Sequence, residues 1–188
     1  MKKILLVNAS PRKGGNSDIA IQTLADRLSD QDVTIFTMRE KRCHPCQACA
    51  ACQGKTTQTC LQKDDITALL PIIDGCDAIV LASPIYNHQI NSQAKLFIER
   101  FYPFFNVTME EMSNTSKRGK KAALICSCWG SPRDVTERYA QWTVSGFSQI
   151  GATKTQALVF NGIPKRGAIR GREDYLAQLQ ALAEWLAE

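Results

Sequence analysis

The 188-residue sequence has little of what marks fibrous or membrane-spanning proteins. Its 11 glycines and 7 prolines are too few for a low-complexity or fibrous chain. The apolar run near its start, Ile4–Val7, is too short for the core of a signal peptide. No run approaches the roughly 20 apolar residues that a membrane span needs. We therefore expect a cytoplasmic protein with no membrane partner.

Histidine is scarce too, and acidic residues are fewer than basic ones. Neither His44 nor His88 has an evident nucleophile and orienting partner, which argues against a triad hydrolase. The net charge of +5 suits an anionic ligand, but the basic residues form no stripe with stacking aromatics, so we expect no nucleic-acid partner. Hydrophobic residues at 44% and charged residues at 22% are ordinary values, and the length predicts one domain over 1–188.

Cysteine is the residue type that needs an explanation. The eight cysteines are about 4% of the chain, below the density of a disulfide scaffold. Five of them fall within Cys43–Cys60. Because cytoplasmic thiols stay reduced, a cluster of this kind indicates metal binding or redox work. Cys76 is instead expected to be a small core residue, and Cys126 is expected to belong to its strand.

Short apolar runs alternate with segments of helical periodicity, which predicts a parallel sheet covered by helices on both faces. The predicted strands are Ile4–Val7, Val33–Met38, Asp77–Ala82, Lys121–Ser127 and Ala157–Phe160. The predicted helices are Ser17–Leu28, Asp64–Asp74, Ser92–Phe105, Pro132–Ile150 and Glu173–Leu186. Pro71 is expected to bend or end the second helix early. Residues 39–63 show no periodicity and form a cysteine-rich loop.

Ligands of such sheets bind beyond the carboxyl ends of the strands, so the loops that follow the strands are informative. The first loop, 8–17, combines small and hydroxylated residues with Arg12 and Lys13 and leads into a helix. Backbone N–H groups and the helix start would bind a phosphate there. A plain turn with a helix cap is the alternative. Neither G-x-G-x-x-G nor a P-loop motif is present.

The loops after the third and fourth strands offer surfaces for a flat ring. Tyr86 could stack on a ring and Asn87 could bond to its polar edge. Cys126–Ser131 supplies small residues and one indole, Trp129, which lies either at a pocket rim or in the core. Together the loops predict a ligand with a phosphate at one end and an aromatic ring at the other.

These segments resemble the flavodoxin-like NAD(P)H-dependent FMN reductases. The resemblance is carried by Ser10–Ser17 (SPRKGGNS), Ser83–Tyr86 (SPIY) and Gln93–Arg100 (QAKLFIER). It implies a three-layer flavodoxin-like α/β fold with a five-stranded parallel sheet of order 2-1-3-4-5. It also implies FMN at the switch point, NAD(P)H as cosubstrate, and a homodimer or homotetramer.

The resemblance also implies the FMN-binding residues by position. The phosphate would be held from the first loop, by Ser10, Arg12, Gly15, Asn16 and Ser17. The isoalloxazine would lie between two further loops, against Pro84, Ile85, Tyr86 and Asn87 on one side and Ser127, Cys128 and Gly130 on the other. No catalytic side chain is predicted, because the cofactor carries the redox chemistry.

The cysteine spacing C-x2-C-x2-C-x2-C, followed by seven residues and Cys60, is compact enough for several thiolates to converge on an iron–sulfur cluster. A structural zinc site generally has a longer excursion between its cysteine pairs. The segment resembles the cysteine loop of the iron–sulfur flavoprotein branch, which implies a 4Fe-4S cluster on Cys46, Cys49, Cys52 and Cys60. Cys43 is surplus to that pattern. A loop that keeps its cysteines without a cluster is the alternative.

The predicted function is an FMN-dependent oxidoreductase that takes hydride from NAD(P)H. Its electrons would pass to a quinone, a free flavin, oxygen or the cluster, so the partner is a small-molecule acceptor or a redox protein. A non-catalytic electron carrier with the same flavin is the alternative. A zinc or thiol protein without flavin is a third possibility.

Overall fold

The computed structural model describes residues 1–107 and 112–188. In chain order its strands are β1 (Lys3–Asn8), β2 (Asp32–Thr37), β3 (Ala78–Tyr86), β4 (Gln89–Ile90), β5 (Phe105–Val107), β6 (Met112–Asn114), β7 (Lys120–Ser127) and β8 (Ala152–Phe160). Its α-helices are α1 (Asn16–Arg27), α2 (Asp65–Gly75), α3 (Ser92–Glu99), α4 (Arg133–Ser145) and α5 (Glu173–Ala187). Short 3-10 turns cover Met38–Glu40, Tyr102–Phe104, Gly146–Ile150 and Ala168–Gly171.

The main sheet confirms the predicted flavodoxin-like fold. Its parallel strands run in the order β2-β1-β3-β7-β8, which is 2-1-3-4-5 when only these strands are counted. The strand count of five was too low. The short β4 pairs antiparallel with the end of β3 and makes the sheet six-stranded, and β5 pairs with β6 in a separate hairpin.

The β3–β4 hairpin closes through a tight two-residue turn. Asn87 and His88 sit there with φ of 48° and 66°, the left-handed values that such turns require. Both side chains are exposed. A strand of two residues has too little periodicity to be recognised from the sequence.

Each face of the sheet has its own apolar core, because successive side chains of a strand point to opposite faces. Leu5 and Val7 of β1 pack in the core that includes residues of α2, α3 and α4. Ile4 and Leu6 pack on the other face with residues of α1 and α5. Cys76 is buried in the core and Cys126 lies in β7, both as expected, and burial raises the pKa of Cys76 to about 12. The three layers are thus helices, sheet and helices.

Two proline effects differ from expectation. Pro71 does not end α2, which continues to Gly75; it lies on the exposed side of the helix, where the carbonyl that it leaves free can bond to water. The helix predicted over Ser92–Phe105 stops at Glu99 instead, and Pro103 lies in the 3-10 turn that follows.

Within the described ranges, no helix combines the length and hydropathy needed to cross a bilayer.

Candidate functional site

A cavity of about 310 Å³ lies at the carboxyl ends of β1, β3 and β7. The chain leaves β1 toward β2 on one side and later returns to β3 on the other, so this is the switch point of the sheet. The lining residues are Ser10, Arg12, Gly15, Asn16, Ser17, Pro84, Ile85, Tyr86, Ser127, Cys128, Trp129, Ile163, Pro164, Lys165 and Arg166. All predicted FMN-binding residues therefore line one cavity except Asn87 and Gly130.

The first loop is shaped by bonds from its own side chains. The Asn8 amide oxygen accepts from the Ser10 N–H at 3.0 Å, and the Ser10 hydroxyl accepts from the Arg12 N–H at 3.2 Å. Helix α1 then starts after Gly15, which has no side chain that could cap the helix. The first N–H groups of a helix have no intrahelical partner, so they are available to an anion at this end of the cavity.

Three basic side chains line the cavity and no acidic side chain does. Arg12, Lys165 and Arg166 are exposed, and none forms an ion pair within residues 1–107 and 112–188. Their positive charge adds to that of the helix start. The cavity is therefore electrostatically suited to a ligand with a phosphate group.

Sequence reasoning missed the segment 163–166, which follows β8. Backbone bonds bring it to the cavity: the Ile163 N–H donates to the Cys128 carbonyl at 3.3 Å and the Gly162 N–H to the Trp129 carbonyl at 3.2 Å. The rule that ligands bind beyond the strand ends applies to β8 as well, and the adjacent Lys165 and Arg166 between Pro164 and Gly167 are the signal that could have found it.

Asn16 has a role that its position in the sequence did not indicate. Its side-chain amide donates to the carbonyls of Ile163 and Lys165 at 3.1 and 3.2 Å, and its oxygen accepts from the Ile169 N–H at 3.3 Å. The side chain therefore holds the segment after β8 in place. Its own backbone N–H, at the start of α1, is one of the N–H groups without an intrahelical partner that could bind an anion.

Gly14 allows Arg166 to approach the first loop. A Cβ at Gly14 would lie 2.8 Å from the Arg166 guanidinium, and the φ of 69° is itself unfavourable for other residues. Arg166 Nε also donates to the Gly14 carbonyl at 3.4 Å. The absence of a side chain at Gly14 thus lets the Arg166 guanidinium, which lines the cavity, lie against the first loop.

The other end of the cavity carries flat and small surfaces. Trp129 is not a core residue; its side chain is 75% exposed at the rim, and Tyr86 is 41% exposed. Cys128 and Ser127 are buried below them, and burial raises the pKa of the Cys128 thiol. A neutral thiol, a hydroxyl and two aromatic rings can receive a planar heterocycle.

A buried pair of polar residues holds the loops around the cavity in place, and no sequence pattern indicated this pair. The Asn91 amide donates to the Ala9 carbonyl at 2.6 Å and caps α3 by accepting from the Ala94 N–H at 3.1 Å. The Ser83 hydroxyl bonds to Asn91 at 3.1 Å. The loops after β1 and β3 are therefore held together below the cavity.

The cysteine segment lies away from that cavity, between β2 and α2. The four cysteines that the resemblance implied as ligands border one small cavity together with Arg100; they are Cys46, Cys49, Cys52 and Cys60. Cys43 does not border it. Within the described part of the chain, no three side chains of the ligating types converge closely enough to hold a metal ion. The structure thus brings the four thiols to one place without closing them into a site.

The donor set and the backbone of this segment fit an iron–sulfur cluster. Soft thiolates are the ligands that such clusters take. Ala48 and Ala50, between the cysteines, adopt φ of 51° and 55°, and the Ala48 N–H donates to the Cys46 sulfur at 3.4 Å. Backbone turns of this kind aim N–H groups into concavities that bind anionic groups, clusters included. Positive φ at alanine is otherwise unfavourable.

Cys43 differs from the other four cysteines in its surroundings. Burial, followed by the nearby carboxylates of Asp64 and Asp65, raises the pKa of Cys43 to about 11. Burial also raises the pKa of Cys52, one of the four implied ligands, so the thiol pKa does not separate Cys43 from them. What sets Cys43 apart is that it does not border the cavity of the other four cysteines, and its surplus status stays a prediction.

Comparisons with known proteins give the family. A family model described as NADPH-dependent FMN reductase matches residues 2–156. An iron–sulfur flavoprotein of Archaeoglobus fulgidus is 31% identical over 104 residues, which are 54% of this chain and 46% of that protein. One from Methanosarcina thermophila is 30% identical over 102 residues, 52% of this chain and 51% of that protein. The chain spans about half the length of the curated relatives it matches.

Solved structures share the fold at low identity. An FMN-dependent NADH-azoreductase from Bacillus anthracis in complex with FMN has a TM-score of 0.71 and 15% identity, covering 98% of this chain and 99% of that one. An NAD(P)H:quinone oxidoreductase from Methanothermobacter marburgensis has a TM-score of 0.71 and 15% identity, covering 97% of each chain. Because the family model matches most of the sequence, the chain belongs to the NADPH-dependent FMN reductase family and, within it, is similar to the iron–sulfur flavoproteins.

Proposed function

We propose that this protein is an FMN-dependent oxidoreductase that takes hydride from NAD(P)H and passes the electrons to an acceptor. One observation carries the proposal: the cavity at the switch point has three basic side chains and a helix start at one end, and aromatic and small residues at the other. When bound, FMN would supply the redox chemistry: it would accept a hydride, with its two electrons, from the nicotinamide and pass the electrons to the acceptor. The chain's own residues would bind and orient it.

At the phosphate end, the proposed ligands are hydroxyls, N–H groups and cations. Ser10 and Ser17 would donate hydroxyls, the backbone of Asn16 would donate its N–H, and Arg12 would pair with the phosphate charge. The Gly15 N–H already donates to the Arg12 carbonyl at 3.3 Å, so Gly15 would contribute close approach to the phosphate. Lys165 and Arg166 join this set from the segment after β8. The Asn16 side chain positions that segment.

At the ring end, Pro84, Ile85 and Tyr86 would line one side of the isoalloxazine, with Ser127 and Cys128 opposite. Trp129, at the exposed rim, joins this set because it can cover the ring and shield it from water. We leave Asn87 out because the β3–β4 turn carries it away from the cavity lining, and Gly130 out because it does not line the cavity.

Substitution of Arg12 tests the phosphate assignment. Arg12→Ala should weaken FMN binding roughly ten- to a hundredfold, because a hydrogen bond to a charged group contributes about 1.5–3 kcal/mol. Lys13→Ala is the matched control, since Lys13 is the exposed neighbour and does not line the cavity. Fluorescence titration of the apoprotein with FMN measures both. Equal affinities for the two variants would remove Arg12 from the site.

Nicotinamide oxidation separates the enzyme from an electron carrier. The FMN-loaded protein should oxidise NADH or NADPH steadily in the presence of a quinone, free flavin or oxygen. Complete inertness toward both nicotinamides, with FMN bound, would favour the carrier. A protein that binds no flavin would contradict both proposals.

We also propose that Cys46, Cys49, Cys52 and Cys60 hold a 4Fe-4S cluster, which would supply one-electron transfer to and from the flavin. The shared cavity, the sulfur donors and the names of the matched iron–sulfur flavoproteins support this. Protein purified without oxygen should contain iron and sulfide and absorb broadly beyond the flavin bands. Cys49→Ser should abolish that absorption, whereas Cys43→Ser should retain it. Loss in both variants would make Cys43 a ligand.

The remaining proposals concern acceptor, assembly and location. We propose a small-molecule acceptor or a redox protein as partner, and a homodimer or homotetramer as the assembly, which sedimentation velocity would measure. The structural neighbours include an azoreductase and a quinone oxidoreductase, so quinones and azo compounds are the acceptors to try first. A cytoplasmic location agrees with eight cysteines that are all free thiols.

A further inference from the structure

Arg100 is the most completely bonded side chain of the cysteine segment's surroundings. It directly follows α3, and 1% of its side chain is exposed. Its guanidinium pairs with the Asp64 carboxylate at 2.6 and 3.2 Å. It also donates to the Thr67 hydroxyl at 2.7 Å, to the His44 carbonyl at 2.9 Å and to the Cys60 sulfur at 3.4 Å. An arginine side chain is rarely buried to this extent unless its charge is paired and its donors form hydrogen bonds.

These bonds join the two ends of the cysteine segment. His44 lies before the first of the four predicted ligands, and Cys60 is the last of them. Asp64 strengthens the closure because it also accepts from the His44 N–H at 2.9 Å and caps α2 through the Thr67 N–H at 2.9 Å. The Arg100 guanidinium thus holds the two ends of the segment together. It borders the same cavity as the four thiols.

We propose that Arg100 is a positioning residue for the iron–sulfur cluster: it fixes the Cys60 sulfur at the edge of the cavity and, by donating a hydrogen bond to that sulfur, raises the reduction potential of the cluster. The inference rests on the proposed cluster. It assigns to Arg100 a function beyond holding the fold together.

The direction of the effect follows from the hydrogen bond to Cys60. Reduction adds one electron to the cluster, and an N–H that donates to a ligand sulfur stabilises the more negative form. The buried Asp64 carboxylate offsets the guanidinium charge, so the hydrogen bond sets the direction. Only an arginine can do this while anchoring the loop, because its planar fork presents five donors to separate partners. A lysine at this position would keep the charge but could not reach Asp64, Thr67, His44 and Cys60 together.

The test compares the wild type with two Arg100 variants after anaerobic loading with iron and sulfide. Arg100→Lys keeps the charge and loses the fork. The double variant Arg100→Gln with Asp64→Asn removes both buried charges together, which avoids leaving one unpaired and protects the fold. Arg138→Gln is the control, because Arg138 forms an exposed arginine–carboxylate pair on α4. The readouts are FMN content, retention of iron against a chelator, and the midpoint potential of the cluster measured by redox titration.

The proposal expects both Arg100 variants to retain FMN like the wild type, to lose iron to the chelator roughly 10- to 100-fold more readily, and to have a more negative cluster potential. The control should match the wild type in all three. Variants that load iron with an unchanged potential would overturn the role of Arg100 while the cluster stands. A wild type that binds FMN and takes up no iron would instead contradict the proposed cluster itself, and the inference with it.

Discussion

The cavity at the switch point and the cysteine segment are two regions built on different physical principles. The cavity lies on strand ends and one helix start, and hydrogen bonds from the side chains of Asn91 and Asn16 hold its loops. Residues 41–64, all of which the structure describes, contain no helix or strand and depend on one buried arginine. The comparison shows that regular structure can shape a site in advance, whereas a segment without it needs a specific anchor.

The two sites also differ in where strain lies. In the first loop, beside the cavity, the positive φ of Gly14 is adopted by a residue type that tolerates it. In the cysteine segment, Ala48 and Ala50 adopt similar φ values at a cost of about 1–2 kcal/mol each. Such strain persists only where surrounding interactions impose it, and it is concentrated at functional sites. A bound cluster would supply those interactions.

The largest expected effect comes from removing the anchor. Asp64→Ala would leave Arg100 buried without its carboxylate, which should lower the free energy of unfolding by about 3–5 kcal/mol. Glu137→Ala breaks an exposed pair with Arg133 and should cost less than about 1 kcal/mol. Urea unfolding of both variants measures the difference. Similar costs would mean that the cysteine segment has no special anchor and would remove the contrast.

An intermediate effect is expected on acidification. Burial alone would raise the pKa of Asp64, but hydrogen bonds from Arg100 and from the N–H groups of His44 and Thr67 lower it from 3.8 to about 2. Because the folded pKa lies below the unfolded one, this stabilisation is complete above about pH 4 and is lost as the pH falls toward 2. It amounts to about 2 kcal/mol.

Unfolding free energies measured from pH 6 down to pH 2.5 check this prediction. The wild type should lose stability over that range more steeply than Asp64→Asn, which has no carboxylate to protonate. Parallel pH profiles for the two proteins would show that the ion pair is not the acid-sensitive element of the segment.

The smallest expected effect comes from a matched pair of glycines. Gly14 and Gly54 both have φ of 69°, so alanine at either position should cost about 1–2 kcal/mol of stability. A Cβ at Gly54 would meet nothing within 4 Å, whereas one at Gly14 would meet Arg166 at 2.8 Å. Gly14→Ala should therefore also weaken FMN binding about tenfold, the loss of one charge-assisted contact.

Thermal unfolding and FMN titration of the two alanine variants separate strain from binding. The comparison between the sites holds if stability falls in both and affinity falls in Gly14→Ala alone. Equal FMN affinity in the two variants would show that Arg166 does not contribute to the cavity's charge.

Much of the fold and of the cavity could be predicted from local patterns. The apolar run Ile4–Val7 and the helical spacing after it place Ser10 and Arg12 between a strand and a helix, and the same reasoning places Tyr86 and Cys128 at neighbouring strand ends. Alternation of sequence elements restricts the topology strongly, because parallel strands need crossovers of one hand. Residue type and position were therefore enough for most of the cavity lining.

What could not be predicted depends on contacts between distant segments. The pairing of Ile163 with Cys128 brings Lys165 and Arg166 over the first loop. The exposure of Trp129 depends on how the loop after β7 leaves the sheet. No periodicity encodes either contact.

The sequence by itself determined the alternation of strands and helices, the loop chemistry at the strand ends and the spacing of the cysteines, because each is a property of neighbouring residues. The tertiary structure alone decided which thiols share a cavity with Arg100, that Asn16 holds a loop, and that Cys43 stands apart. The physical reason is that burial and hydrogen bonding join residues far apart in the chain: Arg100 reaches Cys60 and Asp64 only after the helices pack on the sheet.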